Sequence, residues 1–311
     1  MATLIMTVAE MQDRAKWLKA RDAGIGGSDA AVIVGLSKWK SPFQLWLEKT
    51  NQVEPEDLSE NEYVYWGSIL EQVVADRFCE LTGKKVQRRG LMQDDNYPFM
   101  LASVDRMVVG ENAGLECKTA NGFAGKQWED DEVPDAYYCQ CQHYMAVTGC
   151  ERWYIAVLIG GNHFVWKVIE RNGEDIKALI EAEKDFWYKV QENIMPVVDG
   201  SDSCATALKE KFTGGQIEPV VLESGAADIV NSLDELNDTK KEIEAAINMK
   251  KNRLCEMLGN NEIGLIGERK VTWKVQAGRT TINGKLLKAD LPEIYSKYSN
   301  TGKSNRVLRI G

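Results

Sequence analysis

Residues 101–120, LASVDRMVVGENAGLECKTA, constrain the fold more than any other stretch of the chain. Two runs of strand-forming residues flank the turn GENAG, which is too short for a helical crossover. The two runs must therefore pair as an antiparallel hairpin. Side chains alternate along a strand, so Glu116 and Lys118 share one face and Cys117 faces the other. By the same rule Ser103 and Asp105 share a face of the preceding strand. A tight turn brings Asp105 beside Glu116. Two carboxylates held together repel unless a cation lies between them.

Oxygen-only ligands suit Mg²⁺ or Mn²⁺, which keep waters and take one or two protein carboxylates. Lys118 beside such a water helps to generate or orient a hydroxide nucleophile. The ion offsets charge on a phosphate under attack. The hairpin could thus support phosphodiester hydrolysis. Against this stands a plain alternative. With 47 acidic residues in 311, a D-x10-E-x-K match arises readily by chance on a solvated hairpin.

The rest of the pattern places the hairpin in a mixed α/β domain. Helices are expected over 9–23, 41–49, 63–83, 134–148 and 172–192, with Gly83 as a stop signal. Strands are expected over 84–92, 99–109, 115–118, 152–159 and 163–169. The glycine-rich GIGGSDAA opens a further helix, with Ser28 or Asp29 as its cap. Helices, a strand meander, then helix, strands and helix describe a central mixed sheet flanked by helices, over residues 1–200. VVDGSDSCATALKEKFTGG (197–215) reads as a linker. Residues 201–311 form a C-terminal extension with a long helix at 226–259, where apolar residues fall near a 3-4 spacing. Gaps at Lys240 and Lys250 break a clean heptad, so packing on its own body or on a neighbour is expected over a free coiled coil. The tail adds strand-like RKVTWKVQ (269–276) and a terminal NRVLRIG.

Composition narrows the function. No run of about 18 apolar residues marks a membrane span, and the N-terminus lacks the pattern of a signal peptide. Seven scattered cysteines, with no paired finger spacing, fit a reducing cytoplasm. Two histidines, His143 and His163, weaken any His-rich zinc or serine-triad reading. Net charge is −9, which argues against a nucleic-acid coat protein, yet residues 267–311 carry +7. That tail is either a DNA contact or a solvated surface segment.

Three further stretches bear on the site. WGSILEQVV sets Glu71 on an otherwise apolar helix face, either to share a metal or simply to sit at the edge of that face. AYYCQCQHYMAVTG aligns Tyr137, Gln140 and Tyr144 on one helix face, as phosphate or water ligands or as core tyrosines with a surface glutamine. RDAGIGGSDAA sets Arg21 before a helix start at Ser28, an anion pocket or an ordinary cap.

Taken together and in this order, R…GIGGSDAA, WGSILE, SVD…LECK and AYYCQCQHYMAVTG resemble the lambda-exonuclease / YqaJ-type viral recombinase nucleases of the PD-(D/E)XK superfamily, over roughly residues 15–160. The resemblance implies a restriction-endonuclease-like core. It implies that Asp105, Glu116 and the Cys117 carbonyl bind metal, that Glu71 completes a second metal site, and that Lys118 is the catalytic lysine, with up to two Mg²⁺. Arg21, Ser28, Ser103 and Gln140 match residues that hold a terminal 5′-phosphate. Tyr137 and Gln142 of the same helix are taken as further candidate DNA contacts. The implied activity is 5′→3′ digestion of one strand of duplex DNA ends, leaving a 3′ tail for a single-strand annealing protein. A ring-shaped homotrimer is implied as well. The superfamily's proline is absent, with Val104 before Asp105, and the segment after about residue 200 exceeds the compact lambda enzyme. A restriction-like or structure-specific endonuclease, and a non-catalytic DNA-binding assembly protein, are the alternatives. The first would cut a closed circle. The second would have lost an acid, whereas all four charged residues are present.

Overall fold

A computed structural model describes residues 2–129, 132–300, 302 and 306–310. The chain divides into a unit spanning Met1–Phe212 and a second spanning Thr213–Gly311.

The first unit opens with β1 (Ala2–Met6), a 3₁₀ turn at Glu10–Gln12 and α1 (Arg14–Asp22). Then come β2 (Ile25–Gly26), α2 (Gly27–Ile33), α3 (Pro42–Lys49) and α4 (Glu62–Thr82). Asn61 caps α4 by accepting from the Tyr63 and Val64 amides, and Gly83 ends it in the left-handed region at φ 70°. The strands β3 (Val86–Gln87), β4 (Leu91–Asp94), β5 (Met100–Ala102), β6 (Arg106–Val108) and β7 (Ala113–Ala120) follow. After a 3₁₀ stretch at Gly122–Trp128 come α5 (Asp135–Thr148), β8 (Arg152–Ile159), β9 (His163–Glu170), α6 (Gly173–Gln191) and α7 (Asp202–Lys211).

Five strands form one sheet in the order β3-β6-β7-β8-β9, with β7 and β8 parallel and the other pairs antiparallel. Helix α5 makes the crossover between the parallel pair, as such a connection requires. Alternation along β8 explains the layers. Trp153, Ile155, Val157 and Ile159 pack with Cys141 and Met145 of α5. Tyr154 and Ala156 pack with Val74 and Phe78 of α4. The sheet is thus clamped between α5 and α4, and β7 carries the same alternation, with Glu116 and Lys118 toward α5. Gly114 of β7 is obligatory, since a Cβ there would lie 2.2 Å from the Trp153 ring. A smaller sheet, β1-β4-β5-β2, pairs β2 with β5 in parallel.

The structure revises several expectations. The strand expected over 99–109 breaks at Ser103–Asp105, and its halves β5 and β6 join different sheets. The strand expected over 84–92 likewise divides into β3 and β4. α2 is capped by Gly26, whose amide donates to Asp29 Oδ2 over 3.1 Å, so Ser28 lies inside the helix and is not its cap. The polar stretch 197–215 holds α7, whose buried Cys204 and Ala207 pack with Phe43 and Trp46 of α3. Ser201 caps it, which is why a segment rich in small polar residues is helical.

The second unit contains α8 (Ala226–Leu258), a β10 (Ile263–Ile266) and β11 (Arg269–Thr272) hairpin, α9 (Gly284–Asp290) and α10 (Pro292–Tyr298). The strand over 269–276 is therefore shorter than expected. In the terminal NRVLRIG, residues 306–310 take no regular structure, while Asn305 and Gly311 lie outside the described residues. Among the described residues, no helix is long and apolar enough to cross a membrane.

Candidate active site

The break between β5 and β6 builds the site. It turns Asp105 toward β7, where its Oδ2 accepts from the Cys117 amide over 2.7 Å. β6 and β7 pair Arg106 with Leu115, which brings Asp105 level with Glu116. Glu116 is buried, and Lys118 Nζ lies 2.6 Å from its Oε1. Gln140 of α5 bridges both, accepting from Lys118 Nζ at 3.2 Å and donating to Glu116 Oε1 at 2.9 Å. Its amide also reaches the Tyr144 hydroxyl at 3.0 Å, which donates to the Ser103 carbonyl at 3.1 Å. The Lys118 ammonium lies 4.8 Å from the centre of the Tyr137 ring, itself stacked on Trp128.

The electrostatics follow from this crowding. Burial, then the neighbouring Glu116 and Glu71 charges, hold the Asp105 carboxyl well above its usual range, against the pull of Lys118 and the Cys117 amide. Burial works against the Lys118 charge, but Glu116 and Asp105 overcome it and hold the ammonium above its ordinary range. Burial also pushes up the Cys117 thiol, which faces the α4 side of the sheet.

A cleft of 520 Å³ opens over these residues. Glu71, Asp105, Arg106 and Glu116 line it on one side, and Arg21, Gly26, Gly27 and Ser28 on another. Arg21 Nη2 donates to Ser28 Oγ over 3.0 Å, and its guanidinium lies 4.9 Å from the Trp17 ring centre. Trp17 Nε1 reaches Ser103 Oγ at 3.4 Å. Gly27 is a close-approach glycine, since a Cβ there would meet the Tyr144 ring at 2.5 Å and Gln140 at 3.1 Å.

Of the expected residues, Arg21, Ser28, Glu71, Ser103, Asp105, Glu116 and Gln140 line this cleft, Lys118 and Cys117 lie beside it on β7, and Gln142 lies away from it. Gln142 is buried on another face of α5. Its amide donates to the Glu170 carbonyl and its oxygen accepts from the Asn172 amide. It ties α5 to the start of α6 and does not line the cleft; two residues along a helix from Gln140 is a rotation of about 200°. Tyr137 flanks Lys118 but is not among the residues lining the cleft.

Three arginines were not legible in the sequence. Arg106, buried to 3% exposure, donates to Glu71 Oε1 at 2.5 Å, to the Asp105 carbonyl at 2.6 Å and to Gln72 Oε1 at 3.0 Å. Arg88 and Arg89 line the cleft from the bend between β3 and β4. Immediate adjacency of Arg106 to Asp105 was the available signal.

The donors present suit one hard cation better than two. Glu116 Oε2 is buried and has no hydrogen-bond partner, an acceptor aimed at nothing in the chain. With Asp105 alongside, it offers the one or two carboxylates that Mg²⁺ takes while keeping waters. Among the described residues, no three His, Cys, Asp or Glu side chains are grouped closely enough to hold an ion by themselves. The reason is visible: Arg106 draws Glu71 aside, and Lys118 takes the other Glu116 oxygen.

A mixed sheet clamped between helices, with one acid from the break before β6, one from the adjacent β7 and one from α4 lining a single cleft, defines a protein of the restriction-endonuclease-like α/β class. The fold is similar to that of an alkaline exonuclease from Laribacter hongkongensis, with a TM-score of 0.50 and 19% identity over 58% of this chain and 94% of that one. Residues 16–151 match the YqaJ-like viral recombinase domain. The chain is 42% identical over 296 residues to the uncharacterized protein YqaJ of Bacillus subtilis (strain 168), covering 91% of this chain and 90% of that protein. The chain belongs to the YqaJ-like viral recombinase family.

Proposed function

We propose that this chain is a divalent-metal-dependent deoxyribonuclease that digests duplex DNA from a 5′ end and leaves a 3′ single-stranded tail for annealing. The convergence of Asp105, Glu116 and Lys118 under an arginine-lined cleft carries this reading. Asp105, Glu116 and the Cys117 carbonyl would hold Mg²⁺ or Mn²⁺, with Glu71 available to a second ion once released from Arg106. A bound ion would supply Lewis acidity and offset charge on the phosphate under attack. Lys118 would orient the attacking water by donation, kept in place by Glu116 and Gln140. Arg21 and Ser28, already bonded to each other, present a guanidinium and a hydroxyl suited to a terminal phosphate. Arg88 and Arg89 would contact the DNA backbone, giving local positive charge to a chain of net −9.

Membership of the viral recombinase family supports a role in recombination; a single-strand annealing protein as partner and a homo-oligomer as the working form are part of the same proposal. Free cysteines throughout the described residues fit the bacterial cytoplasm.

The test is digestion of linear duplex labelled at the 5′ or the 3′ end, beside a closed circle, with Mg²⁺ or with EDTA. Rapid loss of the 5′ label, retention of the 3′ label and an intact circle, all dependent on metal, are expected. Cutting of the circle would instead establish an endonuclease. Absence of cleavage with Mg²⁺, and with Mn²⁺ in its place, would overturn the enzymatic reading.

A further inference from the structure

Helix α8 spans 33 residues, about 50 Å at 1.5 Å per residue. Its residues Ile229, Leu233, Leu236, Ile243, Ile247 and Leu254 are between 36% and 71% exposed. Leu258 is the one buried residue of the helix. The steps between these positions alternate four and three, and they keep that alternation through Lys240 and Lys250. The result is one straight seam of coiled-coil type, apolar except at two lysines. Helices draw most of their stability from packing an apolar face, so a seam of this kind calls for a partner.

We propose that α8 pairs antiparallel with α8 of a second copy of this chain. Charge selects both the partner and the direction. Residues 226–239 hold four acidic and no basic residues, and residues 240–258 hold five basic and three acidic. A parallel pair would lay acidic half on acidic half. It would also stack Lys240 on Lys240 and Lys250 on Lys250 inside the seam. Antiparallel pairing crosses the halves and opposes unlike charge.

The register follows from the same lysines. With Leu233 opposite the partner's Lys250, Lys240 meets the partner's Ile243, Ile247 meets Leu236 and Leu254 meets Ile229. Every lysine then faces an aliphatic side chain, along which its stem lies while the ammonium reaches water. The register one heptad away would set Lys240 against Lys250. A polar residue at a seam position fixes register and direction in this way.

The full-length protein tests this by sedimentation equilibrium and by disulfide trapping. Leu236→Asp with Ile243→Asp, both at exposed positions, should halve the measured mass while leaving the nuclease unit folded by circular dichroism. In a Cys255→Ser background, a mixture of Leu236→Cys and Ile247→Cys chains should cross-link on oxidation at least tenfold faster than either chain alone. An unchanged mass in the double aspartate variant would overturn the pairing. Cross-linking of Leu236→Cys chains to themselves as fast as in the mixture would overturn the antiparallel direction.

Discussion

Arg106 holds Glu71 at 2.5 Å on the wall of the cleft, joining the strand that follows Asp105 to the middle of α4. The guanidinium is buried, whereas the Glu71 side chain is 30% exposed. Removing one partner of such a pair strands the other. Glu71→Ala should therefore cost about 2 kcal/mol, below the range for a fully buried pair because solvent screens the carboxylate. Glu71→Gln keeps an acceptor for Arg106 and should cost less than about 1 kcal/mol, yet lose the same nuclease activity. Urea denaturation beside a nuclease assay separates the two effects. Full activity in Glu71→Gln would remove Glu71 from the proposed metal site.

Asp105→Asn should abolish cleavage, by ~10³-fold or more, without loss of stability in EDTA. Asparagine keeps an acceptor for the Cys117 amide and removes a charge that Glu116 and Glu71 oppose. The folded-state pKa of Asp105 is raised, so the wild type loses stability as pH climbs through that value. The variant should therefore melt at or above the wild-type Tm at pH 8 without metal, and Mg²⁺ should raise its Tm less. A Tm well below wild type in EDTA would show that Asp105 is structural.

How much of this could be read from the residues differs by element. The hairpin was legible because a short polar turn between apolar runs leaves one pairing. β8 was legible because its alternation serves a core on each face of the sheet, and α4 because Val74 and Phe78 keep helical spacing toward one of them. The break at Ser103–Asp105 was not, since a strand that changes sheets keeps its alternation on both sides. Gln142 lies away from the cleft because two residues along a helix from Gln140 rotate its side chain to another face. Arg106 was passed over because its burial depends on Glu71, 35 residues away. α7 was hidden by a composition that suits both linkers and caps.

Arg21 and Ser28 give a prediction about DNA ends. Charge-assisted bonds of this kind are worth about 1.5–3 kcal/mol. Arg21→Ala should lower kcat/KM on 5′-phosphorylated duplex by ~10- to 100-fold and on 5′-hydroxyl duplex by no more than about twofold. Equal slowing on both substrates would show that Arg21 supports the fold of the cleft, through Trp17 and Asp29, without reading the phosphate.

Gly27 sits against the ring of Tyr144, and Tyr144 orients Gln140. A methyl group at Gly27 must displace that ring, since tyrosine on α5 has little room to yield. Gly27→Ala should cost about 1–3 kcal/mol and reduce cleavage by shifting Gln140 from Lys118 and Glu116. Pairing it with Tyr144→Phe, which leaves the ring in place, should bring no recovery. Pairing it with Tyr144→Leu should recover part of the stability. A wild-type Tm in Gly27→Ala alone would mean that α2 and α5 separate freely.

His143 and Glu183 form a fully buried pair behind the site, with Nδ1 and Oε1 2.7 Å apart. Nε2 lies 2.9 Å from the Leu101 carbonyl, which can only accept, so Nε2 carries a proton. Burial opposes the imidazolium, but Glu183 raises the His143 pKa above 6.5, and burial raises that of Glu183 despite its partner. Both shifts are upward, so the folded chain holds protons that the unfolded chain has released. The contribution of His143 is complete below pH 6.5, and it declines as pH rises through the raised folded value. Glu183 acts in the same direction. His143→Gln alone leaves a buried carboxylate and should cost about 3 kcal/mol at pH 6. The double variant His143→Gln with Glu183→Gln removes both protons and should melt with a smaller alkaline decline than the wild type. Calorimetric scans from pH 6 to pH 10 measure the difference. Parallel Tm curves for wild type and double variant would show that the pair takes up no proton on folding.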